Sequence, residues 1–121
     1  MNEMQASKIP ILIIADCEPN LRLTTPSRAD PWTGFENFFE FMSEQRGLLG
    51  TATGTPSRFS WFWRLDPQIE ATYGSASWPI VTYKTQISEA KQWGDEFGLH
   101  VHAWRWDAAL GRWIADHADS D

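Results

Sequence analysis

The sequence predicts an α/β fold in which parallel strands form a sheet and helices pack outside it. Three segments, residues 9–18, 57–66 and 99–104, have the length and composition of buried strands. Segments in which apolar residues recur at helical spacing separate them, so the predicted order is β-α-β-α-β. Because this alternation is typical of parallel sheets with covering helices, we expect a single such domain over residues 1–121.

The first strand and the first helix are predicted from the amino-terminal part of the chain. Residues 9–18 read IPILIIADCE, an apolar run that ends in acid, and residues 19–32 contain three prolines and form a loop. Thr33 and Glu36 have the spacing of a capping box. Aromatic and apolar residues then recur at helical intervals, and Gly47 is the predicted carboxyl-terminal stop of this helix.

The later elements follow the same alternation. Residues 57–66 read SRFSWFWRLD, which favours an aromatic-rich second strand. We predict a short helical turn at residues 68–74, a second helix over residues 83–94 and a third strand, LHVHAW, at residues 99–104. Residues 108–118 are predicted to begin a further helix. Three parallel strands do not close a barrel, so we expect either a small open sheet or the front part of a larger domain.

Charge and hydropathy exclude some partners. The formal net charge of -6 is spread over the chain without a basic block, so nucleic acid is not an expected partner. The apolar run at residues 9–15 is too short to span a bilayer, and the residues before it lack a signal-peptide pattern. Cys17 is the only cysteine, which fits a reducing compartment. We therefore predict a cytoplasmic protein without membrane contact.

The aromatic content is unusually high. The chain of 121 residues contains eight Trp and seven Phe. Flat aromatic rings suit both a hydrophobic core and stacking against sugars. Because amphipathic spacing accounts for most of the Trp positions, we predict that the majority of these side chains belong to the core.

Ionisable side chains cluster at the ends of the first and third predicted strands. Side chains alternate along a strand, so Asp16 and Glu18 project to one side and Cys17 to the other. The same alternation places His100 and His102 on one face of the third strand. Consecutive parallel strands lie next to each other or one strand apart, so these groups are expected to meet. Imidazole and carboxylate together predict a divalent metal, whether zinc, iron, nickel, cobalt or manganese.

The second strand carries two further charged residues. Arg64 and Asp66 alternate onto one face of it, near its carboxyl end. Two interpretations stay open for them, a buried ion pair or a lining of the same pocket as the metal site.

Three motifs contain the residues described above. They are Asp16-Cys17-Glu18, Phe62-Trp63-Arg64-Leu65-Asp66 and the segment GDEFGLHVHAWRW, which begins at Gly94. Together they resemble the amino-terminal portion of the polysaccharide deacetylase family, the NodB homology domain. The resemblance implies that the chain forms the first part of a (β/α)7 barrel. It further implies a metal-dependent hydrolase, with zinc as the leading metal, that removes acetyl groups from N-acetylated or O-acetylated carbohydrate.

The resemblance assigns a role to each site residue. Asp16 matches the first acid of the family motif and is the implied catalytic base, and Glu18, His100 and His102 are the implied metal ligands. The roles of the two acids are exchangeable, because here Cys17 separates acids that are adjacent in the family. Trp104 occupies the place of the second family histidine. The residues assigned to the substrate pocket are Arg64, Asp66, Trp104 and Arg105.

Partners and alternatives follow from this assignment. The expected substrate is a carbohydrate or another acylated small molecule. Later barrel strands normally complete the pocket, so this chain alone could be inactive. It is expected to leave an open sheet edge at which copies of the chain associate. One alternative is an amidohydrolase-like enzyme, although there the His-x-His pair belongs to the first strand. The other is a non-catalytic carbohydrate-binding or structural fragment.

Overall fold

The computed structural model describes residues 9–21, 25–26 and 28–115. None of the helices in this described part is both long and apolar enough to cross a bilayer. The strands are β1 (Ile14–Cys17), β2 (Ser60–Trp63), β3 (Glu96–Leu99), β4 (Trp104–Asp107) and β5 (Arg112–Ala115). The helices are α1 (Thr33–Thr53), α2 (Pro67–Tyr73), α3 (Trp78–Thr82) and α4 (Lys84–Gln92).

The first three strands form the predicted parallel sheet, in the order β1-β2-β3. Asp16 on β1 is in register with Phe62 on β2, and Phe62 is in register with Gly98 on β3. The carboxyl ends of β1 and β3 therefore lie one strand apart at the same edge of the sheet, as predicted. The prediction of an α/β fold with three parallel strands is confirmed for this part of the chain, although three helices, α2, α3 and α4, separate β2 from β3.

Helices cover one face of this sheet. Cys17 of β1 and Trp61 and Trp63 of β2 alternate onto that face and are buried. The ring of Trp63 lies 4.9 Å, between centroids, from that of Phe35 on α1. The buried apolar side chains of the described residues are Ala15, Cys17, Trp32, Phe35, Phe39, Met42, Phe59, Trp61, Trp63, Ile69, Tyr83 and Ala90.

The tryptophans divide between this core and the surface. Four of the eight belong to the core, since Trp32, Trp61 and Trp63 are buried and Trp78 packs against them. Trp93 is 54% exposed. The other three lie on β4 and β5, outside the core. Half of the tryptophans, rather than the predicted majority, therefore belong to the core.

The opposite face of the sheet is partly exposed, with the side chain of Asp16 at 50% exposure. Asp16, Phe62 and Gly98 share this face. The Phe62 ring lies directly over Gly98, because a Cβ atom at that position would come within 2.5 Å of Cε1 of the ring. A residue with a side chain at this position would displace Phe62 from the middle of the face.

The first helix is longer than predicted. It continues past Gly47 and ends at Gly54, so the predicted stop at Gly47 is wrong. Nothing crowds Gly47, where glycine costs only about 1 kcal/mol relative to alanine. Leu49 packs against the core and extends the apolar side of the helix. Gly54 has a φ of 68°, the left-handed conformation that ends helices, which explains the stop at that position.

The predicted capping box at Thr33 and Glu36 is also wrong. The side-chain carbonyl of Asn20 accepts the backbone N–H of Gly34 at 2.8 Å, and its amide donates to Oγ1 of Thr33 at 2.9 Å. Glu36 instead accepts the hydroxyl of Tyr83 at 2.9 Å. A residue distant in sequence therefore caps α1, and it fixes the loop after β1 to the start of the helix.

All three observed strands are shorter than the segments predicted for them. Residues 9–18 and 57–66 contain β1 and β2 in their interiors. The third strand lies earlier than predicted, because β3 ends at Leu99 and residues 100–103 form a connection that we call the histidine loop. The placement of His100 and His102 on a strand is therefore wrong, although one further ladder bond, His100 N–H to the carbonyl of Trp63, continues the pairing at 2.9 Å.

The helix predicted for residues 108–118 is wrong as far as residue 115, and residues 116–118 lie outside the described part. A hairpin occupies this region, with β4 and β5 paired antiparallel in a separate two-stranded sheet. Gly111, with a φ of 60°, lies in the turn between them. Trp106 and Trp113 pair across the strands with ring centroids 5.3 Å apart.

The outer edge of β3 is open within the described part of the chain, where β3 pairs only with β2. This arrangement agrees with the prediction of an open sheet edge. Whether copies of the chain associate there stays a prediction.

Candidate metal centre

The end of β1 presents its acids as the alternation predicted. Cys17 points into the core and is fully buried. Burial, together with the neighbouring carboxylates of Asp16 and Glu18, raises the pKa of the Cys17 thiol, so the sulfur stays protonated. The side chains of Asp16 and Glu18 are 50% and 33% exposed. The acids are thus available for chemistry, whereas the thiol is part of the core.

The histidine loop brings two imidazoles to Glu18. Ligand atoms of Glu18, His100 and His102 all lie within 4.8 Å of one another. The Nε2 atoms of the two histidines are 2.9 Å apart, and each is 3.9 Å from Oε2 of Glu18. The structure therefore brings together the three residues predicted to be metal ligands.

This geometry fits a divalent metal ion. Ligand atoms around a tetrahedral zinc ion lie roughly 3.3 Å apart, given its bond lengths of about 2.0–2.1 Å. The three distances between 2.9 and 3.9 Å bracket that value. Oε2 of Glu18 is buried and has no hydrogen-bond partner among the described residues. An unsatisfied carboxylate oxygen is costly, and a bound cation would satisfy it.

The charge state of the site also suits a metal. Burial lowers the pKa of His102, and the guanidinium of Arg64 and the ring of His100 lower it further, against the opposing effect of Asp66 and Glu18. His102 is therefore neutral in ordinary buffers, and a neutral imidazole nitrogen is the form that binds metal. Two imidazoles and one carboxylate form a donor set known from catalytic zinc sites, where a water molecule is the fourth ligand.

Asp16 occupies a different place from Glu18. Its Oδ1 lies 3.4 Å from Nδ1 of His100, on the side of the ring away from the other donors. Sequence reasoning left the roles of the two acids exchangeable. The geometry favours Glu18 as the ligand, because it is Glu18 that belongs to the three-residue group. The role of Asp16 as the base stays a prediction.

Arg64 and Asp66 form the buried ion pair that was one of their two interpretations. Nε of Arg64 is 2.6 Å from Oδ2 of Asp66, Nη2 is 2.9 Å from Oδ1, and both side chains are fully buried. Nη1 of Arg64 has no hydrogen-bond partner among the described residues and lies 3.9 Å from Oε2 of Glu18. The pair thus lies directly behind the metal-ligand group, away from solvent.

Sequence reasoning missed two polar roles next to this pair. Gln68 is fully buried, and its Oε1 accepts Nη2 of Arg64 at 2.5 Å. Asp66 is the N-cap of α2, since its Oδ1 accepts the N–H groups of Gln68 and Ile69 at 3.0 and 3.2 Å. The sequence Asp66-Pro67, an N-cap followed by proline at the first helical position, is a signal that could have revealed the cap.

Trp104 and Arg105 lie beside the site at the start of β4. The N–H of Trp104 donates to the carbonyl of His102 at 2.9 Å, and the hairpin packs next to α2. Trp104 is half-buried and Arg105 is exposed. Their assignment to a substrate pocket stays a prediction.

Comparisons of the chain with protein-family models, with curated proteins and with solved structures found no match. The resemblance to polysaccharide deacetylases therefore stays a prediction from the motifs.

Proposed function

We propose that this protein binds one divalent metal ion through Glu18, His100 and His102. The observation that carries the proposal is the convergence of these donors within 4.8 Å around a buried carboxylate oxygen that has no hydrogen-bond partner among the described residues. Zinc is the first choice, because the donor set matches catalytic zinc sites. Cobalt, nickel, iron and manganese bind the same donors.

We further propose that the site hydrolyses acetyl groups on N-acetylated or O-acetylated carbohydrate, as the motif resemblance implies. The donors lie at the carboxyl end of a parallel sheet, the usual position of active sites in α/β folds. A bound metal would supply polarisation of the acyl carbonyl and a more acidic water. Asp16, half exposed beside His100, would accept a proton from the attacking water on its carboxylate.

The finer fold that we propose is the first part of a (β/α)7 barrel. Its support is the asymmetry of the sheet, which carries helices on one face and Asp16, Phe62 and Gly98 on the other. The open edge of β3 is where a further strand, or a second copy of the chain, would pair. A cytoplasmic location is supported by the single cysteine, which is unpaired and buried.

Metal content tests the binding part of the proposal. After reconstitution with zinc, the unaltered chain should hold about one equivalent, and the double variant His100→Ala, His102→Ala should hold none, because one carboxylate is too few ligands for tight binding. His117→Ala, at the third histidine of the chain, is the matched control and should retain the metal. An unaltered chain that binds none of the five metals would contradict the site and favour a non-catalytic fragment.

Acetate release tests the reaction. The metal-loaded protein should release acetate from N-acetylated or O-acetylated oligosaccharides. Asp16→Asn should keep the metal and lose hydrolysis if Asp16 is the base. Metal binding without release of acetate from either substrate class would contradict hydrolysis by this chain on its own and leave the metal site standing.

A further inference from the structure

We propose that Asp66 is a positioning residue of the metal centre, which holds the histidine loop in place so that His102 faces Glu18. This inference rests on the proposed metal site and extends it to a residue that touches none of the three ligand atoms. Its basis is the set of contacts that Asp66 makes with Arg64, with the amino terminus of α2 and with the distant histidine loop.

Asp66 attaches the histidine loop to the rest of the fold. Oδ2 of Asp66 accepts the backbone N–H of His102 at 3.2 Å. His102 lies beyond the end of β3, so no strand ladder fixes it there. The other backbone bonds of the loop in the described residues are one from His100 back to Trp63 and one from Trp104 to His102 itself. Among the described residues, the carboxylate of Asp66 therefore accepts the backbone hydrogen bond that joins the middle of the loop to the rest of the fold.

The side chain of Asp66 is itself held rigidly. Its Oδ1 caps α2, and both of its oxygens accept bonds from Arg64. The residue is only 3% exposed. A carboxylate held by two guanidinium bonds and a helix amino terminus has little freedom to move. The loop is thus attached to a fixed point.

The charges around Arg64 also favour a bound cation. Arg64 lies between two carboxylates, bonded to Asp66 and 3.9 Å from Glu18. Two carboxylates and one guanidinium leave one net negative charge behind the histidines, which favours a divalent cation. Without Asp66 the buried Arg64 would draw on Glu18, the other carboxylate within 4 Å of it among the described residues, in competition with the metal.

The experiment compares Asp66→Asn with Asp95→Asn. Asp95 is a matched control because it too forms a buried ion pair, with Arg46, but at the amino end of β3. Cobalt affinity should fall about 10–100-fold in Asp66→Asn, as for other residues that orient metal ligands. The visible absorption spectrum of bound cobalt should change as well, since it reports ligand geometry. Asp95→Asn should lose stability but keep both affinity and spectrum.

Unchanged affinity and spectrum in Asp66→Asn would overturn the proposal, as would equal losses in the two variants. If Asp66→Asn does not fold, the double variant Arg64→Met, Asp66→Ser replaces it, because serine keeps the helix cap and no buried charge is left unpaired. The same fall in affinity is expected there, and unchanged affinity again overturns the proposal.

Hydrogen exchange on the unaltered protein gives an independent measurement. The N–H of His102 should exchange more slowly than that of Val101, although neither lies in a strand. Equal exchange rates would overturn the positioning role. A chain that binds no cobalt but protects His102 would instead contradict the proposed function alone, so the two failures are distinguishable.

Discussion

Two buried arginine–aspartate pairs occupy opposite ends of the same sheet. Arg46 and Asp95 lie at the amino end of β3, and Arg64 and Asp66 follow the carboxyl end of β2. Around Asp95, every donor comes from the framework, since the N–H of Phe59 and Nε1 of Trp61 complete its hydrogen bonds at 3.0 and 2.8 Å. The first pair therefore joins α1, β2 and the start of β3 into one unit.

The second pair has the same chemistry but different surroundings. One nitrogen of Arg64 faces Oε2 of Glu18, and neither atom has a hydrogen-bond partner in the described part of the chain. Asp66 holds a loop rather than a strand. The comparison teaches that the same kind of ion pair joins parts of the sheet framework at one end and, as we propose, positions candidate metal ligands at the other. What differs is the position of the further hydrogen-bond donors to each aspartate, which lie at the start of β2 for Asp95 and at the start of α2 and on the histidine loop for Asp66.

The largest effect on stability is expected from Arg46→Met. The change leaves Asp95 buried without its cation, which should cost about 3–5 kcal/mol of the free energy of unfolding. It also removes the guanidinium that lies 4.3 Å from the Phe59 ring centroid. Denaturant unfolding at pH 7 measures the loss. Lys84→Met, at an exposed lysine of α4, is the control and should cost about 0.5 kcal/mol or less.

Metal affinity of the folded fraction sharpens that test. Arg46→Met should bind cobalt as the unaltered chain does, because the pair lies at the other end of β3. Reduced affinity in the folded fraction would show that the two ends are coupled, and the comparison would fail.

A smaller effect is expected from the titration of Asp95. Burial alone would raise its pKa, but hydrogen bonds from Arg46, Trp61 and Phe59 outweigh burial and hold it below the usual range. A lowered pKa in the folded state means that the stabilisation is present at neutral pH and is lost as the pH falls from about 4 toward the folded-state pKa. Asp95→Asn should cost about 1–3 kcal/mol at pH 7.

The check is the difference in unfolding free energy between the unaltered chain and Asp95→Asn at several pH values. That difference should be constant from pH 7 to about pH 5 and should shrink below about pH 4. A difference that grows on acidification would have the wrong sign for a lowered pKa and would contradict the described hydrogen bonds.

Much of the fold could be predicted from the sequence because it depends on local periodicity. Alternation along β1 placed Cys17 inside and the acids outside, as observed. The end of α1 could not be read in this way, since Gly47 resembles a stop until the packing of Leu49 and the positive φ of Gly54 are known. The hairpin was missed because an apolar run after Ala108 looks helical, whereas cross-strand pairing decides its structure.

The residue types of the candidate site could be predicted from the sequence, but the contacts that hold those residues in place could not. Glu18, His100 and His102 do come together, although the histidines lie on a loop and not on a strand. The bonds that place them depend on residues far apart in sequence, such as Asp66 with His102. Spacing along one segment contains no information about such contacts, so tertiary structure was needed to find them.

The smallest effect on stability is expected from Glu18→Gln. The side chain is 33% exposed, and its carboxylate lies 3.9 Å from Arg64, too far for a hydrogen bond. In the metal-free protein the change should therefore alter the unfolding free energy by about 0.5 kcal/mol or less. Metal affinity should nevertheless fall more than about 100-fold, because an amide replaces a ligating carboxylate and even residues that only orient ligands cost 10–100-fold. Thermal unfolding without metal and cobalt titration measure the two quantities separately. A large loss of stability with unchanged affinity would place Glu18 with Asp95 as a structural acid, and the contrast between the two ends of the sheet would then disappear.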